Sequence, residues 1–122
     1  MIKLIVTDMD GTLLNKSEEL HEDFFEIFNK LKEKNILFAV ASGRQRKNLE
    51  IKFREIKDDL IMLFENGSCG SLKGKTLYKS QLDKILVHKF IDIGRKNLYN
   101  MLLCTEDMTY IENVNEEFIT EL

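Results

Sequence analysis

Two rhythms alternate along this chain: short unbroken apolar runs, and apolar residues recurring at three- and four-residue steps among charged ones. Ile2 to Val6, Ile36 to Ala41 and Leu60 to Phe64 are of the first kind. Their β-branched and leucine content and abrupt ends predict strands buried on both faces. Leu20, Phe24, Ile27, Phe28 and Leu31 are of the second kind and predict an amphipathic helix with one buried stripe. Ser17 is placed to cap that helix, Glu18 and Glu19 lie near its positive end, and Asn35 can supply a left-handed stop. Leu49, Phe53 and Ile56 predict another helix within 46–59. Strand, helix, strand, helix, strand is the order of an α/β protein with a parallel sheet, so all three strands should end on one side.

After Gly67 the pattern changes. Ser68 to Leu72 and Lys75 to Tyr78 flank Lys73-Gly74 and predict a hairpin. Leu82, Ile85, Leu86, Phe90 and Ile93 predict a helix over 81–96. Tyr99 to Cys104 and Met108 to Val114 then read as two strands joined by a polar turn through Glu106 and Asp107, with Asn115 capping a final short helix.

Composition narrows the function classes. The chain has 122 residues, a formal net charge of −3 and 43% hydrophobic residues, the profile of one modest soluble domain. No basic field is present to attract nucleic acid. No apolar run approaches the ~20 residues of a membrane span, and the N-terminus enters a strand directly rather than a leader. Cys69 and Cys104 stand far apart without zinc-site spacing, which predicts free thiols and a cytoplasmic location. His21 and His88 fall on predicted helices among charged neighbours and read as solvated.

Candidate chemistry concentrates where the first apolar run ends, at Asp8-Met9-Asp10-Gly11-Thr12. Ligands of open α/β sheets bind beyond the carboxyl ends of strands, which is where Asp8 and Asp10 fall. Two carboxylates so close repel unless a cation lies between them, and Mg²⁺ is the hard cation that takes carboxylate and carbonyl oxygens. Asp8 could then attack an electrophile and Asp10 move protons to a leaving group. Gly11 permits a tight turn, and Thr12 can donate a hydroxyl or cap the next segment. Alone, the four-residue core reads equally as an acidic turn. Ala41-Ser42-Gly43-Arg44 ends the second run, where the Ser42 hydroxyl and Gly43 amide could bond phosphoryl oxygens at the start of the next helix. Arg44 could reach substrate or form a surface ion pair, and Asn66-Gly67 is a turn dipeptide at the end of the third run.

Taken together, Asp8-Met9-Asp10-Gly11-Thr12-Leu13-Leu14-Asn15, Ala41-Ser42-Gly43-Arg44 and Asn66-Gly67 resemble, in order and spacing, the motifs of the haloacid dehalogenase superfamily, in particular its Cof-type phosphatase branch. The resemblance implies a partial Rossmann-like, parallel three-layer core over 1–67 and the start of a mixed α/β cap over 68–122. It implies a Mg²⁺-dependent phosphatase of small phosphorylated metabolites such as sugar phosphates, working through an aspartyl-phosphate. Asp8 would be nucleophile, Asp10 general acid and base, and both would serve the metal. Thr12, Ser42, Gly43 and Arg44 would hold substrate, and Asn66 would hold the Asp8 loop.

The family's later motifs, a lysine and an acidic Gly-Asp-rich turn, are not found, and Glu112, Glu116, Glu117 and Glu121 do not form such a turn. The chain is therefore expected to be the N-terminal portion of a longer phosphatase, weak or inactive alone, or a non-catalytic phosphate- or partner-binding fragment. The family places the first strand centrally. Here its exposed apolar edge is expected to self-associate or to pair with a missing C-terminal portion.

Overall fold

In the computed structural model, which describes residues 1–105 and 108–112, β1 (Leu4–Asp8) lies parallel to β2 (Leu37–Ala41), in register from Leu4 opposite Leu37 to Asp8 opposite Ala41. Helix α1 (Phe24–Glu33) makes the crossover between them. β3 (Ile61–Phe64) lies parallel on the other side of β2 and is reached through α2 (Arg46–Lys52). β4 (Cys69–Leu72) and β5 (Lys75–Lys79) then continue the same sheet antiparallel, in the order β1-β2-β3-β4-β5. The expected α/β architecture with three parallel strands is the one observed.

Burial explains the helices. Phe24 and Phe28 of α1 meet Phe38 of β2 edge-on, with ring centroids 5.9 and 6.0 Å apart, a preferred geometry for aromatic pairs. Val40, Met62 and Phe64 of the sheet pack with Leu49 and Phe53 in the same cluster. Each such buried side chain contributes about 1.5–3 kcal/mol relative to exposure. Asn35 (φ +54) ends α1 as expected. The amides of Asn35 and Ile36 return to the carbonyls of Lys32 and Leu31 at 2.9 Å each, which satisfies two orphan acceptors of the last turn.

Several expectations are corrected. β1 is not buried on both faces: Leu4 and Val6, which share one face by strand alternation, are 46% and 51% exposed, and the strand is also the edge of the sheet, paired only with β2 among the described residues. Ile27 lies on the predicted stripe of α1 yet is exposed. Ser17 caps no helix. Asn15 accepts hydrogen bonds from the Ser17 and Glu19 amides (2.8 and 3.0 Å), Leu14 bridges to Leu20, and this small loop delays α1 to Phe24. The side-chain acceptor at Asn15 competed successfully with the helix. His21 accordingly precedes α1 rather than lying on it. α2 stops at Lys52, and turns carry the chain from Phe53 through Asp59 while Phe53 stays fully buried.

The predicted hairpin forms, with Lys73 (φ +52) and Gly74 (φ +70) as a two-residue turn whose twist suits antiparallel strands. It is hydrogen-bonded to β3 and extends the sheet. By contacts the chain divides into compact units Met1–Ser80 and Gln81–Leu122.

In the second unit, α3 (Lys84–Asn97) is capped by Asp83, whose Oδ1 accepts from the Ile85 amide at 2.8 Å, and ends at left-handed Leu98. β6 (Met101–Cys104) and β7 (Thr109–Glu112) pair antiparallel, as expected of the last two strands, and Arg95 of α3 donates to Glu112 at 2.7 Å. The expected turn at Glu106 and Asp107, the end of the last strand at Val114 and the helix capped by Asn115 lie outside the described residues.

Candidate active site

Parallel register gathers the strand ends: Asp8 sits opposite Ala41, and Ala41 opposite Leu63, so the three following loops leave the sheet on one side. The first loop, Met9–Leu13, is a non-helical turn with Asp10 extended (φ −80, ψ 122), closed by the Leu14 amide on the Met9 carbonyl at 2.9 Å. Fully buried Met9 anchors it, and Gly11 at φ +73 takes the one position a side chain would strain. The turn brings the Thr12 hydroxyl back onto Oδ2 of Asp8 at 3.0 Å, which fixes the carboxylate at the strand tip. Asp8 and Asp10 are both exposed.

The second loop is built on Ser42. Its amide donates to the Leu63 carbonyl at 2.9 Å, and its buried hydroxyl accepts from the Arg44 amide at 3.1 Å, which leaves the hydroxyl proton to donate elsewhere. A side chain on Gly43 would bring Cβ within 2.9 Å of Asn66 Oδ1, so the Asn66 side chain can lie against this position because residue 43 is glycine. Backbone bonds join the same loops, Asn66 to the Ser42 carbonyl (3.2 Å) and Glu65 to the Arg44 carbonyl (3.1 Å). Glu65, Asn66 and Gly67 all have positive φ (51°, 54° and 81°). Tyr78 of β5 lays its ring over Gly70 and donates its hydroxyl to the Gly67 carbonyl at 2.9 Å. Among the described residues the Asn66 side chain makes no hydrogen bond to the Asp8 loop; its neighbour is Gly43. Gly43 also does not open a helix, since α2 begins at Arg46.

Arg44 ties the first two loops together. Its Nε and Nη2 donate to the two carboxylate oxygens of Asp10 at 3.2 and 2.8 Å, and Nη2 also donates to Glu18 Oε1 at 2.7 Å. The Glu18 carboxylate, ahead of Asp10, raises the Arg44 pKa further, against the opposing effect of burial, and Arg44 in turn holds the Glu18 carboxyl below its ordinary value. Lys52 of α2 donates to the Glu18 carbonyl. Thus Asp8, Asp10, Thr12, Ser42, Gly43, Arg44 and Asn66 all stand at one end of one sheet.

A family model described as haloacid dehalogenase-like hydrolase matches residues 5–121. The chain belongs to the haloacid dehalogenase-like hydrolases. It is 37% identical over 84 residues to the 5-amino-6-(5-phospho-D-ribitylamino)uracil phosphatase of Escherichia coli K12, covering 68% of this chain and 31% of that one. It is 35% identical over 83 residues to the HMP-PP phosphatase of Klebsiella pneumoniae, covering 67% and 30%. A solved protein of Streptococcus mutans UA159 superposes with a TM-score of 0.89 at 27% identity, over 99% of this chain and 47% of that one. A haloacid dehalogenase-like hydrolase from B. subtilis shares the fold, with a TM-score of 0.84 at 20% identity over 98% and 42%. The chain thus spans about a third of the length of these curated relatives and under half of the solved structures.

Within this chain, no group of three or more His, Cys, Asp or Glu side chains is arranged to hold a metal ion among the described residues. The donors that do stand at the strand tip, the Asp8 carboxylate and the Asp10 main-chain and side-chain oxygens, fit Mg²⁺ in kind. Two residues at this end of the sheet escape sequence reasoning. Glu18 reads as part of a helix N-terminus and instead meets Arg44 beside Asp10, while Lys52 reaches across to hold the Glu18 carbonyl. The one signal for the Glu18 loop is Asn15 two residues before Ser17, a side chain able to form its own turn.

Proposed function

We propose that this hydrolase chain carries the nucleophile side of a Mg²⁺-dependent phosphatase acting on small phosphorylated metabolites such as sugar phosphates, in the cytoplasm. The observation that carries this reading is the contrast between the two carboxylates: Asp8 is aligned by a single neutral hydroxyl, whereas Asp10 is gripped by a guanidinium. The phosphatase names of the aligned relatives support the substrate class, and unbridged Cys69 and Cys104 agree with a reducing compartment. No helix of the described residues is long and apolar enough to cross a membrane.

The chemistry follows from the roles. An Asp8 oxygen attacks phosphorus while the ester oxygen departs with a proton from Asp10, leaving the phosphoryl group on Asp8. Water, deprotonated by Asp10, then attacks that phosphorus and frees the Asp8 carboxylate with release of phosphate. The Ser42 hydroxyl and Gly43 amide bond the phosphoryl oxygens, and Thr12 keeps Asp8 on the line of attack. Mg²⁺, when held by Asp8 and Asp10, supplies positive charge against the transferring phosphoryl group.

The test is Asp8→Asn in the protein extended through the downstream reading frame, assayed with p-nitrophenyl phosphate and Mg²⁺. Turnover should fall on the order of 10⁴- to 10⁶-fold, and retained turnover refutes the nucleophile. A second reading, a phosphate- or partner-binding fragment without turnover, is favoured for these 122 residues alone by the lack of a three-member acidic cluster among the described ones. The same assay on the chain by itself separates the two readings.

A further inference from the structure

The loop that bridges Leu14 to Leu20 holds its shape without the Glu18 side chain. Asn15 accepts two backbone amides across it, the Asn15 amide donates to the Glu19 carbonyl at 3.0 Å, and Lys52 takes the Glu18 carbonyl. The Glu18 carboxylate is therefore spare as far as the loop is concerned, and it is spent on Arg44 at 2.7 Å. It also stands at a left-handed position (φ +57) that a glycine or asparagine would occupy with less strain. Arg44 thus faces two carboxylates, Asp10 and Glu18, and the trio carries a net negative charge at the point where a phosphoryl group would arrive.

We propose that Glu18 is a positioning residue that competes with the incoming phosphoryl group for Arg44, and so sets how strongly the site holds an anion. The inference rests on the reading of this site as a phosphate site. With no anion present, Glu18 shares Nη2 of the guanidinium with Asp10. When a phosphoryl dianion enters at Ser42 and Gly43, Arg44 exchanges Glu18 for a phosphoryl oxygen, a stronger acceptor carrying more charge. The carboxylate thereby selects against weak anions, and the loop stays in place because its backbone is held independently.

The experiment uses the chain as it stands with inorganic phosphate at fixed neutral pH, followed by NMR. Binding is read from the Ser42 and Gly43 amides, and release from the Glu18 carboxyl carbon and the Arg44 Nε–H signal. Phosphate should move the Glu18 and Arg44 signals together with the two amides. Glu18→Gln should tighten phosphate roughly two- to fivefold, the range of an exposed ion pair. Glu19→Gln, an equal change in net charge on the same loop, should not, and the gain should vanish in an Arg44→Gln background. A Glu18 signal unmoved while the amides respond overturns the competition and leaves the phosphate site standing. So does a gain that Glu19→Gln matches or that survives loss of Arg44. Amides that never respond overturn the phosphate site itself, and the competition with it.

Discussion

Helices α1 and α3 are written in the same code and meet different fates. Both carry apolar residues at three- and four-residue steps, yet α1 buries Phe24 and Phe28 against β2, while α3 leaves Leu82 just ahead of it, Ile85, Leu86, Phe90 and Ile93 all at least 45% exposed. Periodicity states that a helix has an apolar side. It does not state that the same chain supplies a neighbour for that side. The first unit contains its own core, assembled from two helices and the sheet they cover; α3 presents a face with no cover among the described residues.

The largest effect that tests this contrast is truncation on each side of it. Phe53→Ala, at a fully buried ring, should destabilise the first unit by about 3–5 kcal/mol in chemical denaturation. Phe90→Ala, at a ring 57% exposed, should stay within about 0.5 kcal/mol. Equal losses would mean that α3 has a covering surface in solution, and the contrast would collapse.

The next effect concerns the edge of the sheet. Ile2, Leu4 and Val6 are 66%, 46% and 51% exposed beside an edge strand, and we propose that copies pair along it or that a further segment covers it. Sedimentation of the chain at high micromolar concentration should show self-association that Val6→Lys abolishes. A strict monomer before substitution removes pairing between copies.

The smallest effect is the response to acid. Lys30 holds Glu26 of α1 below its ordinary carboxylate pKa, and Arg44 does the same for Glu18. A depressed folded-state value means that the contribution is complete above the ordinary carboxylate range and is lost as pH falls through the depressed value. The helical signal should therefore weaken slightly below that range, and Glu26→Gln should flatten the response. An unchanged slope would show the α1 pair to be without consequence.

These contrasts also show what the chain's letters could convey. The three parallel strands, the hairpin at Lys73-Gly74, the left-handed stop at Asn35 and the carboxylates at a strand tip were legible, because each depends on local periodicity or on one residue's preferred conformation. The edge position of β1 was not legible from its apolar run, since burial on both faces and exposure at a margin use the same residues. The delay of α1 to Phe24 was lost because Asn15 competed for backbone amides with a helix that Ser17 could otherwise have capped. Arg44 was recognised, but its partners Asp10 and Glu18 lie 34 and 26 positions away, and no local pattern encodes which acid a guanidinium will meet.

The hydroxyl of Tyr78 on the Gly67 carbonyl gives the molecule an optical handle. The chain has no tryptophan and three tyrosines, and Tyr78 is the only one in Met1–Ser80. Its phenol is anchored to the turn that carries Asn66, one residue from the contact with Gly43. Ultraviolet emission from that ring, isolated by replacing Tyr99 and Tyr110 with phenylalanine, is a built-in gauge of whether the third loop is seated.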